Sequence, residues 1–95
     1  MGAISGLKTV TTAGTELPLT AASSKVQCAV AVKALTTNTG LVYVGNAGDG
    51  TVASTTGFPL AAGDVVIFEY VDDLMDIMVD SAVNGEGVAF LVLHA

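Results

Sequence analysis

Residues 26–45, VQCAVAVKAL followed by TTNTG and LVYVG, decide the fold. Apolar side chains alternate with others through the first segment, which is the pattern of a β-strand with one buried face. The predicted core face consists of Val26, Cys28, Val30, Val32 and Ala34. Asn38 and Gly40 both tolerate a positive φ, so residues 36–40 suit a turn. We therefore predict that residues 41–45 return as an antiparallel partner and that this hairpin sets the sheet.

The N-terminal part of the chain predicts an arm that leads into short strands. Isolated aliphatic residues among Gly, Thr and Ser favour strands at residues 7–12 and 16–20. Pro18 has no backbone N–H to donate, so it belongs at a sheet edge or at the start of its strand. We expect residues 1–16 to form the arm and the first strand, and residues 17–95 to form a single β domain.

The second half of the chain predicts further strands separated by turns. The segment VVIFEYV at residues 65–71 is apolar on both faces almost throughout, which favours a strand covered on both sides. Residues 76–83 alternate again and predict that Asp80 faces solvent. The Asn84-Gly85 dipeptide is typical of a type I′ turn, which would join that strand to residues 87–94 in a hairpin.

The spacing of strands and turns predicts an all-β fold. We expect a small antiparallel β-sandwich or barrel-like fold of about seven or eight short strands, with an extended N-terminal arm. A chain of 95 residues forms one domain, and folding at this length buries only about 60–65% of the surface that the unfolded chain exposes. A modest core must therefore stabilise the fold unless assembly adds to it.

The surface is unusually poor in charge. Charged residues make up 13% of the chain and hydrophobic residues 52%, whereas soluble domains usually carry about 25% charged residues. Such a surface either contacts other protein or is covered by the small residues Ala, Gly, Ser and Thr, which need no partner. We favour a partner. The predicted contact residues are Ile4 and Leu7 in the arm, Phe58 and Leu60 in the long connection after the hairpin, and Met78 on an outer face.

The charge balance and the apolar runs exclude two classes of partner. The formal net charge is −6, with positive charge only at Lys8, Lys25 and Lys33, so we expect no direct contact with nucleic acid phosphates. No uninterrupted apolar segment approaches the ~18 residues of a membrane-spanning helix, so we expect no membrane contact. The start MGAISGLKTV lacks a basic segment followed by a long apolar run, which predicts a protein that stays in the cytoplasm or leaves it within an assembly.

No constellation for catalysis or metal binding stands out. Nucleophilic catalysis needs a base beside the nucleophile, and the only histidine, His94, is one residue from the end of the chain. The acids Asp72, Asp73, Asp76 and Asp80 lack the spacing of a calcium-binding loop. The single cysteine, Cys28, suits a small buried hydrophobe. We therefore expect no enzymatic activity, no cofactor and no metal site.

A family resemblance is carried by a series of turns and strands between Cys28 and Leu93. The segments are NTGLVYVGN, GFPLAAGD, VDDL, IMVDS and NGEGVAFLVL, in that order. In this pattern the sequence resembles a family of small structural proteins encoded among bacteriophage virion genes. Many members have an aromatic residue before the Val-Asp pair, where this chain has Met78. The motif fixes turns and strands and carries no catalytic group.

The resemblance implies a place in a virion that is assembled in the host cytoplasm. The expected function is a head decoration or cement protein that binds the major capsid protein, copies of itself, or both, and stabilises the shell. We expect a homo-oligomer, with a trimer as the first guess because closed symmetry suits lattice points. Two alternatives stay open: a tail or neck accessory protein, and a module that binds glycan or a host surface through residues 46–64.

Overall fold

The chain folds into two antiparallel sheets packed face to face. The structure, a computed structural model, describes residues 5–46, 52–53 and 55–93. The strands are β1 (Ser5–Val10), β2 (Leu17–Pro18), β3 (Lys25–Ala34), β4 (Val42–Asn46), β5 (Phe58–Leu60), β6 (Val65–Asp73), β7 (Ile77–Ser81) and β8 (Glu86–Leu93). A single 3₁₀ turn, Leu74–Asp76, joins β6 to β7.

The strands divide evenly between the sheets. Sheet A has the order β1-β8-β3-β6, and sheet B has the order β2-β7-β4-β5. All pairings are antiparallel. The predicted all-β sandwich is therefore confirmed. β1 pairs with β8 over its whole length, and residues 1–4 of the predicted arm lie outside the described residues.

The valine-rich face of β3 forms the centre of the core, as predicted. Val30, Val32 and Ala34 are fully buried, while Val26 and Cys28 are partly buried and pack against the same cluster. Facing residues come from both sheets. They include Val42, Val44, Leu60, Val79, Val88, Phe90 and Val92. Because aliphatic side chains from the two sheets interdigitate, their burial provides the main stabilisation of the sandwich.

The predicted hairpin of β3 and β4 is wrong. β3 pairs with β6 and β8 in sheet A, whereas β4 pairs with β5 and β7 in sheet B. The connection between them passes the end of sheet A, where Asn38 is buried and bonds to the backbone of Gly87 on β8, and then continues into sheet B. The chain therefore crosses from one sheet to the other at the place where a hairpin turn was expected.

The predicted hairpin at Asn84-Gly85 is wrong for a related reason. β7 belongs to sheet B and β8 to sheet A, so this connection also joins the two sheets. Gly85 has a φ of +82°, but Asn84 does not have the positive φ that a type I′ turn requires. The N–H of Gly85 donates to the carbonyl oxygen of Val10 at 2.8 Å, which ties this turn to the end of β1.

β6 is an edge strand, which corrects the prediction that it is covered on both sides. Val65 and Ile67 are each more than half exposed. Two irregularities in its pairing with β3 offset each other. Between Lys25 and Cys28, β3 advances three residues against two on β6, and between Cys28 and Val30 it advances two against three. These bulges bend the edge, and one of them contains Gln27 with a φ of +51°.

The prediction for Pro18 is confirmed. This residue lies on β2, an edge strand of sheet B, where a missing N–H is tolerated. Residues 61–64 form a tight turn in which the N–H of Asp64 donates to the carbonyl oxygen of Ala61 at 2.9 Å. Gly63 in this turn has a φ of +85°, which favours glycine.

Candidate functional site

The outer face of sheet B is covered by the protein's own loops. Val52 is buried against Gly45 on β4, so closely that a Cβ at Gly45 would lie 2.8 Å from its Cγ2. Gly57 approaches Tyr43 in the same way, and Tyr43 is only 8% exposed although it points away from the core. The connection after β4 therefore shields this sheet from solvent.

The loop between β1 and β2 also lies over sheet B, and hydrogen bonds of two carboxylates hold the cover in place. The N–H of Val52 donates to Oε2 of Glu16 at 2.9 Å, and the N–H of Gly14 donates to Oδ1 of Asp80 at 2.9 Å. Asp80 is 2% exposed and also accepts from the N–H of Ser81. The prediction that Asp80 faces solvent is therefore wrong, because the loop after β1 lies over it.

The outer face of sheet A has no such cover within the described residues. Its register places large apolar side chains on one surface, because directly paired residues point to the same side of a sheet. One row consists of Leu7, Ala89, Lys33 and Val65, the next of Leu91, Ala31 and Ile67, and the third contains Leu93 and Ala29. We call this surface the open face.

The open face is apolar, and its side chains differ in length from strand to strand. Leu7 is 68% exposed, Ile67 55% and Leu91 41%. The larger side chains lie on β1, β8 and β6, whereas β3 between β8 and β6 carries Ala29 and Ala31. Because alanine is shorter than leucine and isoleucine, β3 forms a trough at Ala29 and Ala31, which ends at Lys33. An apolar surface of this kind on a soluble protein is typical of a protein contact.

The predicted contact residues are spread over different surfaces. Leu7 lies on the open face, and Phe58 is 58% exposed on β5 at the edge of sheet B. Met78 is half-buried on β7 opposite Gly45. Leu60 is 2% exposed and belongs to the core, so it is corrected from a contact residue to a core residue. Ile4 lies outside the described residues.

Most of the open face was not among the predicted contact residues. Val65 and Ile67 lie in the segment predicted to be covered on both sides, and Leu91 and Leu93 lie in the predicted strand at residues 87–94, whose two apolar faces fit either a central strand or a strand covered by another molecule. The signal that identifies them is the combination of strands that are apolar on both faces with a low content of charged residues, 13%. Only the strand order of sheet A shows that these residues lie on one surface.

Asp73 serves the fold, as Glu16 and Asp80 do. Asp73 accepts hydrogen bonds from the Ser23 hydroxyl, from the N–H of Ser24 at 2.8 Å and from the N–H of Met75 at 2.9 Å. These bonds, the Ser23 hydroxyl first, hold the pKa of Asp73 below its usual value. Asp73 thereby caps the 3₁₀ turn and fixes the chain that enters β3.

Glu86 plays the same part at the opposite end of the sandwich. Its carboxylate accepts from the N–H of Gly40 at 3.0 Å, and from the N–H and hydroxyl of Thr39 at 2.7 and 2.9 Å. The Gly40 and Thr39 backbone donors lower the pKa of the Glu86 carboxyl. The negative charge of Glu86 therefore orders the turn that leads into β4.

A cavity of about 250 Å³ opens beside β6. Its lining includes Tyr70, Asp72, Asp76 and Asn46. Asp72 bonds to the Lys25 ammonium at 3.3 Å at the surface. Among residues 5–46, 52–53 and 55–93, no group of three or more His, Cys, Asp or Glu side chains is arranged to hold a metal ion. His94 lies outside the described residues.

The same described part of the chain contains no helix long and apolar enough to cross a membrane. Comparison with protein-family models, with curated proteins and with solved structures finds no match to this chain. The open face and the edge at Phe58 are the surfaces of the described residues that expose large apolar side chains most clearly.

Proposed function

We propose that this protein is a non-enzymatic structural component of a bacteriophage particle, a capsid decoration or cement protein that binds the head shell and stabilises it. The observation that carries the proposal is the exposure of large apolar side chains in two places, on the open face, which the described residues leave uncovered, and at Phe58 on the edge of sheet B. The location in a phage particle is inferred from the resemblance of residues 28–93 to small phage virion proteins.

The mechanism follows from burial of apolar surface. Each Å² of apolar surface removed from water contributes about 25 cal/mol before the costs of association are subtracted. A single contact of modest size is weak. Repetition of that contact over many copies on a lattice turns weak contacts into resistance to rupture, since detachment of one copy leaves its neighbours bound.

The test uses particles that lack the protein. Purified protein is added to such heads, binding is measured by co-sedimentation, and heat-induced release of DNA is followed with and without it. We expect saturable binding and release at a higher temperature. Phe58→Ser is the informative variant, and Leu41→Ser is its control, because Leu41 is also an exposed apolar residue but lies outside β5.

Cryo-electron microscopy of intact particles distinguishes the possible positions. Density for a small two-sheet domain on the head supports the decoration role, whereas density at the neck or tail supports an accessory role in those parts. Protein that neither binds heads nor appears in particles would defeat the proposal.

A second function, recognition of glycan or a host surface, is supported by the cavity beside β6, whose described lining shares Asn46 with the predicted binding segment 46–64. Residues 47–51 and 54 of that segment lie outside the described residues. Tyr70 is 65% exposed at its rim, and Asp72, Asp76 and Asn46 supply polar groups. Ligand pockets combine apolar walls with a few oriented polar groups in this way. Thermal melts across a glycan panel test it, with Tyr70→Ala as the variant that abolishes any stabilisation. Melts that are unchanged by every glycan would exclude this function.

A further inference from the structure

We infer that the open face is the contact between two copies of this chain, related by a twofold axis that runs along the strands between β8 and β3. The inference names the partner of the face that carries the proposed function, and it rests on that proposal only in treating the face as a protein contact. Three properties of the face support a second copy as its partner: its pattern of large and small side chains, its charge and its area.

The relief of the open face is complementary to itself. Leu91 and Leu93 form the ridge on β8, and they pair in register with Ala31 and Ala29 on β3. A twofold axis between these strands places β8 of one copy over β3 of the other. Leu91 of each copy then enters the trough at Ala31 of its partner, and Leu93 enters it at Ala29. Each contact occurs twice, as an isologous interface requires.

The same twofold axis also brings the remaining residues of the face together. β1 of one copy comes over β6 of the other, so Leu7 meets Val65 in the row next to Leu91. Lys33 comes over Ala89, whose small side chain leaves room for the lysine stem to lie flat with its ammonium at the rim. No large side chain is placed directly against another large one along the centre of the contact.

The charged residues of the open face balance each other. The chain carries a net charge of −6, which opposes the approach of two copies. On the open face, Lys33 is balanced by Glu69, which follows Ile67 by two positions on β6. The other exposed acids include Asp64, before β6 begins, and Asp76, after it ends. Each copy therefore brings one positive and one negative side chain to the contact.

The area of the face is sufficient for a specific dimer. β8 has 8 residues and β3 has 10, which corresponds to about 27 and about 33 Å, and four strands span about 19 Å at the usual spacing. A flat face of that size is about 500 Å² per copy, so two copies bury about 1,000 Å² before side-chain relief is added. That value reaches the lower range of specific interfaces.

The test measures self-association of the purified full chain by sedimentation equilibrium over a wide range of concentration. We expect a monomer–dimer equilibrium. Leu91→Glu should weaken the dimer at least about 30-fold, the loss expected for a central contact residue. Leu41→Glu is the matched control, because Leu41 and Leu91 are both 41% exposed and Leu41 lies outside sheet A. Circular dichroism melts verify that each variant is folded.

A rescue experiment tests the twofold pairing itself. Because Leu91 of one copy contacts Ala31 of the other in this arrangement, an equimolar mixture of the Leu91→Glu chain and the Ala31→Lys chain should form a mixed dimer that is tighter than the dimer of either variant alone, since one of its two contacts pairs opposite charges between copies and the other is unchanged. Ala31→Lys alone should weaken the dimer. Loss of the dimer in Leu91→Glu without rescue would overturn the proposed axis, and a dimer or trimer that tolerates Leu91→Glu would overturn the proposed face.

The proposed function has a separate readout, so the two failures can be distinguished. A monomer at every concentration that binds heads through the open face, shown by loss of head binding in Leu91→Glu, would assign the face to the shell and refute the dimer. A dimer that is sensitive to Leu91→Glu but never binds particles would support the contact between copies and defeat the virion role.

Discussion

Asn38 and Gly87 exchange two hydrogen bonds at the end of the sandwich. The Asn38 Nδ2 donates to the carbonyl oxygen of Gly87 at 2.9 Å, and the N–H of Gly87 donates to the Asn38 Oδ1 at 3.4 Å. The side chain therefore takes the place of a neighbouring strand beside β8. Since the connection from β3 to β4 runs through Asn38, this pair directs the chain from sheet A to sheet B.

Asn38→Ala should destabilise the protein by about 1–3 kcal/mol, because it removes both bonds from a buried site. Urea denaturation gives the free energy of unfolding. Thr37→Ala is the control, since Thr37 is the exposed neighbour in the same connection, and it should change the stability by less than about 0.5 kcal/mol. Equal effects of the two substitutions would show that the bond pair contributes nothing specific.

Stability should fall in acid as Glu86 and Asp73 become protonated. Both groups have a folded-state pKa below their ordinary values of 4.5 and 3.8. A lowered pKa means that the folded state favours the ionised form, so the stabilisation is complete above the ordinary pKa and is lost as the pH falls through the lower folded value. Urea denaturation from about pH 7 down to about pH 2.5 measures this loss.

Glu86→Gln isolates the contribution of one carboxylate. It should lower the stability at neutral pH and flatten the fall in acid, because the variant has no charge to lose at that position. Glu69→Gln removes one negative charge from the surface and serves as the control. A Glu86→Gln profile that runs parallel to the wild-type profile at all pH values would contradict the assigned role of Glu86.

Gly87→Ala should separate β1 from β8. A Cβ at Gly87 would lie 1.9 Å from the carbonyl oxygen of Lys8, so the backbone of β1 must move. We expect a loss of at least about 3 kcal/mol, at the upper end for overpacking. Hydrogen exchange should show faster exchange in β1. Gly14→Ala is the control, because Gly14 has a φ of +90° but open space around it, and it should cost about 1 kcal/mol through backbone strain alone.

The sequence predicts strands well because alternation is a local property. The core face of β3 follows from its valines, and the turn at residues 61–64 follows from its own composition. Alternation does not specify the partner of a strand, so β4 was assigned to β3 although contacts distant in sequence place it beside β7. The pair Asn38 and Gly87, which decides this, is separated by 49 residues.

The candidate site was harder to predict than the fold. A strand with apolar residues on both faces has the same sequence pattern whether its second face is covered by its own chain or left open. Ile67 and Leu91 could therefore be recognised as unusual but not located on a shared surface. Leu60 shows the reverse error, since its pairing with Val42 buries it within a segment that reads as a loop.

Phe58 and Leu60 provide a sharp test because they lie two residues apart on β5 and differ in burial. Leu60 is 2% exposed in the core, so Leu60→Ala should cost about 2–5 kcal/mol. Phe58 is 58% exposed, and Phe58→Ala should change the stability by less than about 1 kcal/mol, since it opens little or no cavity. Denaturation of both variants, with head binding measured at a temperature where both are folded, separates the two roles. Head binding should fall for Phe58→Ala and persist for Leu60→Ala, because only Phe58 presents its ring to a partner. The opposite pattern would place the contact away from this edge and leave the open face as its site.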